Sequence, residues 1–184
     1  RAVSLFSLAA SVLLTNSALA EVFQSGSLYA VTTDGSFVHI DGGGEIDQTL
    51  LTGLVFPGGL GGLAFGDPSS AYITETQGGG SSPFGQLLTV DSGGNVIRTI
   101  SGIPATNQFP NGTYPVGLAV DQSGNVYIAT HNSPGATKVT SGGTVSDFTG
   151  FYNDLWWGKA AAISPDGDVY MTSGLFVPGS TSDV

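Results

Sequence analysis

The chain has 184 residues, 40% of them hydrophobic, with 14 acidic against four basic side chains and a formal net charge of −10. So few cations exclude a phosphate-tracking nucleic-acid surface and an electrostatic footprint on anionic lipid. The absence of cysteine excludes disulfides, thiolate metal sites and thiol nucleophiles.

The apolar content is too high for a disordered chain, and 29 glycines spread along its length point to many tight turns between short strands. The first segment reads as an address. Ala2–Leu14 is an apolar run of small and aliphatic residues, followed by Ala18-Leu19-Ala20. That small-residue pattern suits signal peptidase and places the cut before Glu21. The run is short for a membrane span, which needs roughly 20 apolar residues. The expectation is a signal peptide over residues 1–20, lacking its first few residues because the chain starts at Arg1. The mature chain is then exported to the periplasm, the medium or the cell surface, with no membrane span.

From Glu21 onward the sequence breaks into short apolar runs bounded by Gly, Asp, Asn or Ser. Leu28–Thr32, Ser36–Ile40 and Glu45–Leu51 are three expected strands, with Val22–Ser25 a weak candidate for a preceding one. Gly62–Phe65, Ala71–Thr74, Gln86–Val90 and Val96–Ile100 form the next set of four. Gly117–Val120, Val126–Ala129, Ala136–Val139 and Thr144–Phe148 form a third, and Ala160–Ser164 with Asp168–Thr172 open a fourth. Each set spells an antiparallel sheet too small to be stable alone. The recurrence, at a period of roughly 45–55 residues, lies in the range of propeller blades. The turns have a physical basis: Asp bonds nearby backbone N–H groups, and Gly supplies the positive φ of a tight reversal.

The stretch GLAVDQSGNVYIAT, Gly117–Thr130, resembles the blade of NHL-repeat proteins and of the SMP-30/gluconolactonase-like propellers. GLAFGDPSSAYITETQGGG, Gly62–Gly80, also resembles the ScyD/ScyE group of exported bacterial propellers, although Asp67-Pro-Ser-Ser70 replaces the expected Asp-Gly turn. The resemblance implies an all-β propeller with blades near residues 22–52, 60–100, 116–149 and 160–184. These would be the N-terminal part of a ring of about six blades. Repeat motifs mark architecture and are shared by proteins of different activity.

In such a blade the loops after the second and fourth strands share one face. Here they are long and varied: Glu75–Gly85, Ser101–Pro115, His131–Gly135 and Gly150–Lys159. Variable loops on a rigid scaffold usually carry function. The candidate ligand-binding residues on that face are Glu75, His131, Asn132, Asn153 and Asp154, with Trp156 and Trp157 as apolar contact surface. Glu75 and His131 are the candidate acid/base pair, and Glu75 and Asp154 the candidate Ca²⁺ ligands. The resemblance implies Ca²⁺ held by Glu, Asn and Asp near a central channel, as in the lactonases, but their ligand set does not map here residue by residue. His39, inside a strand, is expected to be structural.

Two functions compete. One is an exported scaffold that binds a small molecule, carbohydrate or protein. The alternative is a Ca²⁺-dependent lactonase/esterase-like hydrolase or a lyase. No Gly-x-Ser-x-Gly elbow, P-loop or His-Glu-x-x-His motif is present.

Overall fold

The computed structural model describes residues 23–24, 26–54, 61–76, 84–104, 114–131, 136–148 and 158–173. The expected signal peptide, residues 1–20, lies outside them. Among the described residues the protein is all-β, with thirteen antiparallel strands in four sheets, none closed on itself.

The first sheet has β1 (Leu28–Val31), β2 (Phe37–Ile40) and β3 (Ile46–Leu51) in that order. The second runs β4 (Leu63–Asp67), β5 (Ser70–Thr76), β6 (Phe84–Asp91) and β7 (Val96–Pro104). The third runs β8 (Tyr114–Val120), β9 (Val126–His131), β10 (Ala136–Val139) and β11 (Val145–Phe148). The fourth pairs β12 (Gly158–Ile163) with β13 (Val169–Ser173). Every expected strand is present apart from the weak candidate at Val22–Ser25, of which only Phe23 and Gln24 lie among the described residues. Phe23 and Gln24 are not in a strand; instead Phe23 N–H donates to the Pro68 carbonyl at 2.6 Å.

One turn recurs and sets the ends of most strands. In 32–36, 41–45, 91–95, 121–125, 140–144 and 164–168 the first residue donates its N–H to the carbonyl of the fifth. In each, the glycine at the fourth position donates to the carbonyl of the first. That glycine has φ between 76° and 92° in all six, which only glycine adopts without strain. The first side chain then accepts from the backbone N–H of the fifth: Asp41 from Glu45, Asp91 from Asn95, Asp121 from Asn125, Thr32 from Ser36, Thr140 from Thr144 and Ser164 from Asp168. Asp, Thr and Ser at this position therefore satisfy donors that the reversal leaves without a ladder partner. The β4–β5 connection departs from this: Asp67 pairs with Ser70 across Pro68-Ser69, with a bulge between Phe65 and Asp67.

Alternation along the strands divides each sheet into two faces, and successive sheets pack through them. The first core lies between the first and second sheets. Phe37 and Leu54 meet Ala71, Ile73, Leu88 and Val90, with Tyr29, Val31 and Leu63 packed around them. The second core lies between the second and third sheets, where Leu87 and Ile103 meet Leu118, Val126, Ile128 and Val139. Tyr72 and Val120 flank it. Small residues allow the third and fourth sheets to touch backbone to backbone: Gly117 in β8 lies directly against Ala160 in β12.

The tyrosines mark the repeat. Tyr29 in β1, Tyr72 in β5, Tyr127 in β9 and Tyr170 in β13 occupy matching register positions, and the first two lie on the face turned toward the following sheet. Tyr29 reaches Phe65 at 5.5 Å between ring centroids, and Tyr72 packs into the second core. Tyr127 is buried, with Phe148 edge-on at 5.0 Å and the Lys138 ammonium 5.2 Å from its ring centre. Tyr170 is 59% exposed.

Candidate functional site

Of the residues that the sequence nominates, Glu75 is the one whose side chain is described. It lies inside β5, half-buried and paired in register with Gln86 of β6, so the strand runs further than the expected loop boundary. His131 is the last residue of β9, opposite Tyr114. By register Glu75 matches Thr130 and not His131, so the two take alternate positions along equivalent strands. Asn132, Asn153, Asp154, Trp156 and Trp157 lie outside the described residues. Among the described residues no group of three or more His, Asp or Glu stands close enough to hold a metal ion.

The described concavity lies elsewhere, at the junction of the first two sheets. An open hollow of about 300 Å³ is lined by Phe23, Gln24, Ser27, Tyr29, Phe65 and Asp67, with Gly66 and Pro68 between and beside the last two. Three rings form its apolar wall. Phe23 stands edge-on to Tyr29 at 5.2 Å and to Phe65 at 4.9 Å, and Tyr29 is tilted against Phe65 at 5.5 Å. Edge-on packing turns the ring faces in different directions and is a favourable arrangement for aromatic quadrupoles. Phe65 remains 42% exposed, an unusual position for a phenylalanine beside a cavity.

The polar rim is anchored by short-range bonds. Gln24 N–H donates to the Tyr29 hydroxyl at 3.1 Å. Asp67 Oδ1 accepts from Ser69 N–H and from the Ser69 hydroxyl, both at 2.7 Å. These Ser69 bonds outweigh desolvation and hold the Asp67 carboxyl below its ordinary value, so it is an anion at neutral pH. On the far side of Tyr29, the His39 ring lies 4.9 Å away and its Nδ1 hydrogen-bonds Asp47 Oδ1 at 2.6 Å across β2 and β3. This pair fixes the ring in its strand and gives His39 the structural setting that its position suggests.

Sequence reasoning missed the hollow because its parts are far apart in the chain. Phe23 precedes the first strand, Tyr29 sits in β1, and Phe65 and Asp67 end β4. The one local signal is Asp67-Pro68, which interrupts the otherwise regular Asp-Gly turn. No protein-family model matches the chain, and no curated protein matches it.

Proposed function

We propose that the chain is a stretch of an exported, NHL-type β-propeller that serves as a binding scaffold. The observation that carries this reading is the recurrence of one packing relationship. At two successive junctions a tyrosine-bearing strand faces the first strand of the following sheet, as Tyr29 faces Phe65 and Tyr72 faces Val120. Sheets stacked in this way, each rotated by its own twist, lead naturally to a ring. The first sheet has three described strands where the second and third have four, and β1 has a described neighbour on one side only. A further strand beside β1 would complete the pattern. The hollow between the first two sheets supports binding over structure alone, since aromatic walls with a few polar groups are the usual make-up of ligand sites.

Three measurements test this. Electron microscopy or small-angle scattering of the protein expressed from its full reading frame is expected to give a ring with a central channel, and a rod or separated sheets would sink the architecture. N-terminal sequencing of exported material is expected to begin at Glu21. A lactone and ester panel assayed with and without Ca²⁺ is expected to show no turnover; turnover abolished by Glu75→Gln would replace the scaffold with the hydrolase.

A further inference from the structure

From the wall and rim of the hollow we infer that it binds an organic cation: an alkylammonium group seated against Phe23, Tyr29 and Phe65 with Asp67 as counter-charge. This deepens the binding reading above by naming the ligand chemistry of one site, and it does not depend on whether the sheets close into a ring.

Three features combine. First, the wall is aromatic and includes Phe65, which is 42% exposed and so has surface available to a ligand. A cation within about 6 Å of a ring centroid is attracted by the ring quadrupole. The ring centroids stand 4.9 to 5.5 Å apart, so a cation seated on the exposed Phe65 has Tyr29 beside it and the buried Phe23 behind. Second, the rim carries a carboxylate, that of Asp67, and no Lys, Arg or His is among the residues lining the hollow. Arg98, the nearest described guanidinium to this region, is engaged elsewhere, donating to the Ser141 carbonyl at 2.7 Å. Third, the volume of about 300 Å³ accommodates a trimethylammonium head with part of its chain.

A neutral ligand of the same shape would gain the apolar contact but lose both electrostatic contributions. A carbohydrate would use the rim but gains less from a wall with so few polar partners. The site is therefore selective for positive charge on an apolar body.

The test is a titration of the full-length protein with choline and with tetramethylammonium, followed by the ring-proton shifts of Tyr29 and Phe65. The neutral isostere 3,3-dimethylbutan-1-ol and sodium chloride at matched concentration serve as controls. Saturable shifts with both cations are expected, with the neutral isostere about 5-fold weaker. Asp67→Asn is expected to weaken the cations roughly 3-fold, because the pair is partly exposed to solvent, and to leave the alcohol unchanged. Asp34→Asn, on a turn that does not line the hollow, is expected to change neither. Phe65→Leu keeps the apolar contact with Phe23 and is expected to weaken the cations about 2-fold, narrowing but not removing their advantage over the alcohol. No saturation with either cation in the unmodified protein overturns the inference, as does equal binding of the neutral isostere. Either failure leaves the ring, judged by its shape, standing.

Discussion

Gly117 and Ala160 touch through their backbones: a Cβ placed on Gly117 would stand 2.6 Å from Ala160 Cα and 2.8 Å from Ala161 N. Backbone cannot swing aside as a side chain can, so the approach of β8 to β12 is set by the missing methyl group. Gly117→Ala is expected to destabilise the protein by about 1–3 kcal/mol, the usual cost of overpacking. Gly167→Ala is the comparison, since nothing lies within 4 Å of its would-be Cβ but its φ is +92°. It is expected to cost about 1–2 kcal/mol through backbone strain alone. Denaturant titration gives both values, and proteolysis between the third and fourth sheets is expected to rise in the first variant only.

Thr74 reaches across the second sheet to the chain entering it. Its hydroxyl accepts the buried Gly62 N–H at 2.9 Å, and Thr172 repeats the contact with Ala160 N–H at 3.1 Å. Thr74→Val keeps the shape and removes the acceptor. It is expected to cost about 1–3 kcal/mol, the penalty of an unsatisfied buried donor. Thr74→Ser is expected to recover most of it, as read from equilibrium unfolding.

The acidic turns give the protein a defined response to acid. Asp41 is held below its usual 3.8 by the Glu45 and Gly43 N–H groups, and Asp91 by the Asn95 side chain and backbone. Burial pushes Asp121 upward, but bonds from Asn125, Ser123 and Tyr127 outweigh it and bring it below 3.8. A carboxyl depressed on folding contributes stability that is present above its unfolded pKa and is lost as pH falls through the folded one. The melting temperature is therefore expected to be flat near neutrality and to fall below about pH 4. In Asp121→Asn the fall is expected to be shallower, from a lower plateau. A protein that gains stability on acidification would contradict the turn assignment.

Arg98 ties two outer edges together. Its guanidinium reaches from β7 to the turn between β10 and β11, donating to Ser141 O and lying against Gly143. The pair is exposed, so Arg98→Gln is expected to change global stability by no more than about 1 kcal/mol. Hydrogen exchange reads the local effect: faster exchange at Gly143 and Thr144, with the amides of β9 unchanged.

The strands and turns were legible in the sequence because both are local. Alternation over four to seven residues defines a strand, and Asp-x-x-Gly at a fixed spacing defines the reversal after it. Strand ends were less legible. Glu75, placed at the start of a loop by composition, continues β5 because Gln86 offers it a ladder partner eleven residues along. The hollow was not legible. Apart from the interrupted turn at Asp67-Pro68, no pattern near Phe23, Phe65 or Asp67 announces that these residues meet, since they are joined by the packing of one sheet on the next. The repeated Tyr was visible as part of Asn-Val-Tyr and Ala-Tyr-Ile. The role of Tyr29 and Tyr72, rings packed against the following sheet, belongs to tertiary structure.

The tyrosine series also gives the stack a direction. Tyr29 and Tyr72 point the same way along the stack; among the described residues Tyr170 lies at one end, and the cross-strand row Leu28, Ile40, Ile46 at the other. The two described ends are therefore unlike, and sheets added to the stack in the same orientation join it head-to-tail. Head-to-tail joining has two outcomes: it closes when the accumulated rotation completes a circle, and grows into an open fibre when it does not. The twist between neighbouring sheets thus decides whether sheets added in this direction come round to the first or run on past it.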